Sequence, residues 1–437
     1  VASGLDEPGR SANNAGYLGR AAMHEEPPRP TPTGIGRTAR TRHPAVRPLP
    51  HPWRAWLSIS NDPDNTTPAG WAELHRTLWE ELRLPFADAL FLRSYNTQLP
   101  DQVDLHGHPH ILAAHEHDSL HTWGDYMFAR TRGFDRSDAV EALAWLRRIG
   151  FRPRVWVDHS QFTGNMLHLH RTGAIPEFRD ASGHVYANPL YTLDLVHEAG
   201  VRYLWDGTVT PVLGQDIPMS DLSWTLESAG DRRTGLALYA RRRIRAGLRP
   251  GTVPLARDAN RAYRRHRFPD GRSFYIFQRH GKWPLADIDG LGELLAPARM
   301  DELVRRGGVC IAYTHLGKRP AARMADPVHV PPATRLALEH VAALHRQGRL
   351  MLSGTARLLD HLVIRDHITV DQAHRTVRFV PDGIAFDHLG TAELTGHAFT
   401  FDLPAEPRWT VIGSDGILDP RVEAHGRAAF TLHFDGA

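Results

Sequence analysis

Residues 136–160 read RSDAVEALAWLRRIGFRPRVWVDHS. In 136–150 the apolar residues Ala139, Leu143, Leu146 and Ile149 recur at helical spacing, with Ser137 as N-cap and Gly150 as stop. In the rest, RPRVWVDHS (152–160) reads as a strand whose run RVWV ends on Asp158-His159. A helix feeding a strand that ends on polar side chains is the unit from which the rest of the chain can be read.

The unit recurs on both sides. AWLSIS (55–60) reads as a strand, and 68–82 as a helix with Trp71, Leu74, Leu78 and Leu82 on one face. Strands are expected at ADALFL (87–92) and PHILAAH (109–115), then a helix over 188–200 and a strand over 201–207. Further on, SFYIFQRH (273–280) and VCIAYTHL (309–316) read as strands, separated by a helix over 291–308. A helix over 332–348 leads to a last strand–helix pair, RLMLSG and TARLLDHLVI. Strands alternating with helices over short turns specify an α/β protein with a parallel sheet. About seven or eight such units predict a (β/α) barrel over 51–367, with a doubly wound open sheet as the alternative. From 368 to 437 the runs are short and divided by Gly, Pro and Asp, which predicts a small C-terminal all-β domain. Residues 1–50, rich in Gly, Pro and Arg, read as a disordered tail.

Composition excludes several classes. The single cysteine, Cys310, lies in the apolar run GGVCIAY, so disulfides, cysteine zinc sites and thiolate catalysis are not expected. Lys282 and Lys318 are the only lysines among 52 basic residues. Such an arginine bias removes the force of the basic stretches at 233–251 and 261–272 as evidence for nucleic acid, and no nucleic-acid partner is expected. No apolar run reaches the roughly 18–20 residues of a membrane span, and the first residues lack a signal-peptide core, so the expected place is the cytoplasm. There is no P-loop, no GxGxxG after the first strand and no GxSxG elbow. Oligomeric state is left open.

What ends each strand carries the functional signal. In order these are Asn61-Asp62-Pro63-Asp64, Arg93, His115 with His117, Asp158-His159, Asp206, Arg279-His280 and His315. In a parallel α/β fold the C-terminal strand ends converge on one face, where ligands bind. Asp62 or Asp64 with the i, i+4 pair His117 and His121 could hold a divalent metal, Zn²⁺ first, with Mn²⁺, Fe²⁺ or Co²⁺ as alternatives. His315 suits general acid or base work. Asp158, His159 and Asn165 form one candidate loop, Arg279 and His280 could hold an oxyanion, and Asn61, Arg93 and Asp206 complete the candidate substrate contacts.

WLSISNDPD, ILAAHEHDSLH and CIAYTHLGK together resemble the NodB-like polysaccharide deacetylase superfamily. There a first strand runs into Asp-Asp, an early motif is His-x-x-x-His, and a late strand ends in Leu-x-His. The resemblance covers about 55–365 loosely. It implies a distorted seven-stranded barrel, a divalent metal held by Asp-His-His, and removal of an N- or O-acetyl group from a sugar. Carried onto this chain, Asp62, His117 and His121 are the implied metal ligands and His315 the implied catalytic acid. His115 matches the second motif by its apolar run, whereas His117 matches by spacing. Where the family has its base aspartate this chain has Asn61, with Asp64 as the replacement. The alternatives are a glycoside hydrolase pairing Asp62 or Asp64 with Asp158 or Asp206, and a non-catalytic saccharide-binding protein that Asn61 would mark.

Overall fold

The strand runs close into a ring. The computed structural model describes residues 43–97, 99–113, 117–125, 134–158, 178–179, 185–186, 192–210, 212–216, 260–268, 271–281, 285–318, 328–406 and 408–435. Its first part gives strand β1 (Ala55–Asn61), helix α1 (Pro68–His75, running on as a π-helical segment Arg76–Glu81), β2 (Ala87–Leu90) and β3 (Ser119–Leu120). Helix α2 (Arg136–Ile149), β4 (Val155–Val157), the short antiparallel pair β5 (Phe178–Arg179) and β6 (Val185–Tyr186), α3 (Leu193–Glu198) and β7 (Tyr203–Thr210) follow. Then come β8 (Tyr263–Arg267), β9 (Ser273–His280), α4 (Ile288–Leu294), α5 (Pro297–Arg306), β10 (Val309–Thr314), α6 (Pro332–Arg346), β11 (Leu350–Leu352) and α7 (Thr355–Asp366).

β1, β2, β3, β4, β7, β9 and β10 pair in parallel, and the β10–β9 bridge closes a seven-stranded barrel. β8 adds an antiparallel strand outside β9. The ring is uneven at β1. One edge pairs with β10 along its length; the other pairs with β11 at Ala55–Leu57 and with β2 only at Ser60 and Asn61. β11 therefore wedges between β1 and β2 at the N-terminal end.

Strand alternation sorts the side chains. Trp56, Val155, Val157, Tyr203, Trp205, Tyr275, Phe277, Val309, Ile311 and Tyr313 belong to one core, the barrel interior. Their neighbours in sequence pack outward: Leu57, Ile59 and Cys310 against α1 and α4–α6, and Leu90, Leu120, Trp156, Leu204 and Ile276 against α2 and α3. Cys310 is buried and its thiol is pushed up well above the usual range by burial, an inert packing residue.

The N-terminal end of the barrel is plugged. α7 lies across it, tied by Asp118 Oδ2 accepting from Ala356 N (2.6 Å), by Tyr203 Oη donating to Asp360 (2.6 Å) and by Arg154 pairing with Asp360 (2.6 Å). Beyond α7, β12 (Ile368–Asp371), β13 (Thr376–Phe379), the short helix α8 (Thr391–Leu394), β14 (Ala398–Phe401), β15 (Thr410–Gly413), β16 (Gly416–Leu418), β17 (Arg421–Ala424) and β18 (Phe430–His433) build a four-stranded and a three-stranded sheet. The sheets meet through Phe379 and Phe399, ring centroids 5.3 Å apart. This expected β region shares one apolar core with the barrel interior.

Several expectations are corrected. Residues 43–50, placed in the tail, are ordered onto the β region: Val46 pairs with Phe401, and Ala45, Val46 and Leu49 are buried. The rest of the tail lies outside the described residues. PHILAAH is not a strand; Pro109–Ala113 is a 3₁₀ turn, and the strand is Ser119–Leu120. The helix over 291–308 is two helices, because Pro297 cannot donate to the first and instead opens the second. Helix α2 is capped by Asp135, not Ser137, in a capping box with Asp138. Among the described residues no helix is long and apolar enough to cross a membrane.

The shared core carries a pH liability. His361 of α7 stacks flat on Phe399 (4.9 Å, 6°) and faces His397 at 6.4 Å. Burial drives His361 well below the ordinary histidine value, and burial with nearby Arg357 pushes His397 down to about 3. In the unfolded chain both take up protons near pH 6.5. Stability is therefore flat above that pH and falls as pH drops from about 6.5 towards 3, by up to about 1.4 kcal/mol per unit for each ring. Urea unfolding between pH 7.5 and 5 should show this slope, roughly halved in His397→Phe; an identical slope in the variant would rule His397 out.

Candidate metal centre

At the C-terminal end of the barrel strands the inward positions turn polar. Two residues beyond Ser58 on the same face come Ser60 and then Asp62; two beyond Ile311 come Tyr313 and then His315; two beyond Phe277 comes Arg279. Asp62, Asp64, His121, Arg279 and His315 are all buried there.

Arg279 organises the floor. Its guanidinium donates Nη1 and Nη2 to the two oxygens of Asp62, each at 2.7 Å, and Nη1 also to Ser60 Oγ at 3.1 Å. The cation lies over Trp205 (3.5 Å) and Tyr313 (4.3 Å). A planar fork laid against two aromatic rings, themselves 5.2 Å apart, is a demand that arginine meets and lysine does not. Burial alone would raise the Asp62 pKa, but Arg279 and His121 outweigh it and hold the carboxyl below the usual range.

Asp64 faces two imidazoles. Its Oδ2 lies 3.4 Å from His121 Nε2 and 3.4 Å from His315 Nε2, and Asp62 Oδ2 lies 3.9 and 3.8 Å from the same atoms. His121 Nδ1 bonds the Val157 carbonyl at 3.0 Å. A carbonyl only accepts, so Nδ1 carries the hydrogen and neutral His121 presents a bare Nε2 to the carboxylates. The Phe91 ring stacks on it at 4.4 Å. Burial pulls His121 down, yet Asp62 and Asp64 outweigh it and keep its pKa above the ordinary value. His315 has the same tautomer: Nδ1 donates to the Ala286 carbonyl (3.3 Å) and Nε2 accepts from Tyr313 Oη (3.2 Å). There burial wins over the carboxylates and pushes the pKa down to about 4.

Asp62, Asp64 and His121 could hold a metal ion: one donor atom from each lies within 4.8 Å of the others. The donor set fits. Two carboxylates offer several acceptor positions each, of which the Arg279 fork uses two, and the imidazole is turned by its carbonyl to present Nε2. An ion there would displace the His121 proton that the carboxylates otherwise favour.

The loops that carry these groups are locked together. Asn65, at φ 52°, accepts from Asn96 Nδ2 (2.8 Å), and Gln102 Oε1 accepts from Asn65 N (2.9 Å) while its Nε2 donates to Asp125 (2.8 Å). Gly317 brings the His315 loop onto the Asp64 loop: a Cβ there would lie 2.1 Å from Thr66 Oγ1.

The other expected site residues fall elsewhere. His117 does not join the ion group; its Nε2 bonds the Ile111 carbonyl at 2.9 Å, and burial lowers its pKa with Asp88 and His75 as its charged neighbours. An i, i+4 pair meets at one ion in a helical turn or a tight loop, whereas strand β3 lies between His117 and His121, and four extended residues span about 13 Å. Asn61 points outward, one step out of phase with Asp62, donating to Asp88 Oδ1 (2.7 Å) and accepting from Leu316 N (2.8 Å). Arg93 meets His106 (2.7 Å), Tyr95 and Glu141. Asp158 is buried one residue past β4, out of phase with inward Val155 and Val157. His280 bonds the Val212 carbonyl at 3.0 Å. The Asp206 side chain, His115, His159 and Asn165 lie outside what is described. Ser60, Trp205 and Tyr313 were missed; period-two counting back from Asp62 and His315 would have found Ser60 and Tyr313. Asp118 and Asp125 are structural, one capping α7 and the other in the Gln102 network.

Compared with protein families, with curated proteins and with solved structures, the chain gives no match.

Proposed function

We propose that the chain is a metal-dependent hydrolase of carbohydrate that removes an N- or O-acetyl group. The observation that carries this is the buried Asp62–Asp64–His121 cluster beside His315, at the C-terminal strand ends of a closed parallel barrel. Asp62, Asp64 and His121 would hold the ion, Zn²⁺ first; when bound it polarises an acyl oxygen and acidifies water. Arg279 keeps Asp62 ionised and fixed, so Asp62 orients rather than takes up protons. His315 is neutral at rest; its Nε2, which the Tyr313 hydroxyl occupies, would accept a proton from the attacking water once that hydroxyl turns away, and return it to the departing amine or alcohol. Tyr313 stays protonated, since burial pushes its pKa up, and holds the His315 ring by donating to Nε2.

The glycosidase alternative pairs Asp62 or Asp64 with Asp158 or Asp206; the Asp206 side chain lies outside what is described, and Asp158 lies one residue past β4, out of phase with inward Val155 and Val157. Asn61 does not argue for a binding protein without activity, because its side chain faces away from the cluster.

The purified chain should carry close to stoichiometric metal and release acetate from acetylated amino-sugar oligomers, with loss on chelation and recovery on Zn²⁺ addition. Asp64→Ala and His121→Ala should lose the metal. His315→Ala should keep it while kcat falls by about 10²–10⁴. A metal-free wild type, or metal content unchanged in both ligand variants, overturns the proposal.

A further inference from the structure

The outer face of the three-stranded sheet holds a second donor cluster, which shares no residue with the one at the barrel mouth. On β17 and just past it, Glu423 and His425 stand two residues apart and so on one face. The paired strand β18 contributes Thr431 opposite Glu423 and His433 opposite Arg421, and β14 places Thr400 opposite Thr431. Phe399, Phe401, Phe430 and Leu432 take the opposite, buried face. Onto the polar face comes His51, from the segment that leads into β1. Its backbone N donates to Thr400 Oγ1 at 2.7 Å, and its ring lies 3.9 Å from that of His425.

We propose that His51, Glu423 and His425 form a second divalent-metal site, of the Zn²⁺ class, which clamps the segment entering the barrel to the C-terminal sheet. One donor atom from each residue lies within 4.8 Å of the others. Two imidazoles and a carboxylate are a borderline-metal set, with open positions left for water. The donors are also held from behind. His425 Nε2 lies 2.7 Å from Thr431 Oγ1; coordination through Nδ1, which is 3.8 Å from Glu423 Oε1, selects the tautomer in which Nε2–H donates to that hydroxyl. Thr431 in turn bonds Thr400 (2.7 Å), the same hydroxyl that receives His51 N, so one chain of bonds orients both histidines. Glu423 Oε2 bonds His433 Nε2 at 3.0 Å, which fixes the carboxylate and leaves Oε1 towards His425. The arrangement also accounts for two like rings in contact at a half-exposed surface: an ion between them requires both to be neutral. Segment 43–51 is tied to the sheet by the Val46–Phe401 bridge, the Arg47–Asp402 pair and buried Ala45, Val46 and Leu49, and a ligand from His51 would add a cross-link between distant parts of the chain.

The test uses the full chain and Zn²⁺ alone, by calorimetric titration and by thermal unfolding with and without the metal. The barrel centre contributes equally to every protein compared, so the difference from wild type reads this site. His51→Ala, His425→Ala and the shape-conserving Glu423→Gln should each remove one equivalent of bound Zn²⁺, or weaken it at least about tenfold. Each should also shrink the Zn²⁺-induced rise in Tm, with unfolding in chelator unchanged. Full retention of stoichiometry and affinity in either histidine variant overturns the site.

Discussion

Arg279→Ala should destabilise the protein by about 3–5 kcal/mol, the cost of leaving a buried charge without its partner. Asp62 is held by two hydrogen bonds from this one side chain, and both residues are buried. The substitution also strips the guanidinium from the Trp205 and Tyr313 rings, removing packing as well as charge. Arg279→Lys should recover little, since an ammonium cannot present two parallel donors to one carboxylate. The double variant Asp62→Asn with Arg279→Met should be markedly more stable than Arg279→Ala, because neither a charge nor a void is left behind. Urea unfolding of the four proteins decides the matter. An Arg279→Ala loss below about 1 kcal/mol would mean that the ion pair is not a structural element of the barrel mouth.

That pair shows where sequence stops being informative. Arg279 is legible as a polar strand end, because the apolar run FYIF (274–277) stands just before it; its partner, 217 residues away, is not. The parallel barrel was legible for the same reason: β1, β4, β9 and β10 are dense apolar runs buried on both faces. Strand β3 was not. It is two residues long, and its place is set by pairing, Ala89 with Ser119 and Leu90 with Leu120, not by composition. The louder run ILAA puts the expected strand end at His115 and His117, whereas β3 ends directly before His121. His121 was found through a spacing that does not operate here, and His117 came with it. Parity would have done better. Counting by twos along β1 puts Ser58, Ser60 and Asp62 inward and Asn61 outward, which separates the two residues that a motif comparison treats as one pair.

Asn61→Asp follows from that parity and gives opposite results under two accounts of the site. If Asn61 stood where a base belongs, an aspartate there would raise activity. The geometry leads to the reverse. Asn61 Nδ2 lies 2.7 Å from Asp88 Oδ1, so an aspartate would set two carboxylate oxygens against each other in a fully buried place. Asp88 is already engaged by Trp71 Nε1 (2.8 Å) and His75 Nε2 (2.9 Å) on its other oxygen, which holds it against turning aside. Like charges at this distance cannot both ionise cheaply, and one carboxyl must keep its proton. Its folded pKa then lies above the unfolded value near 3.9, so the penalty is small at pH 4, grows as pH rises, and levels off above the raised pKa. At pH 8 the loss should reach about 3 kcal/mol or more, and at pH 4.5 it should be clearly smaller. Activity should fall too, because Asn61 Oδ1 holds Leu316 N at 2.8 Å, and strain at this position reaches the neighbouring His315. Unfolding at the two pH values, with acetate release from the same preparations, separates the accounts. A stable and more active Asn61→Asp protein would return Asn61 to the reacting face; an acid-relieved loss of stability keeps it as the outward brace that ties β1 and β2 to the His315 loop.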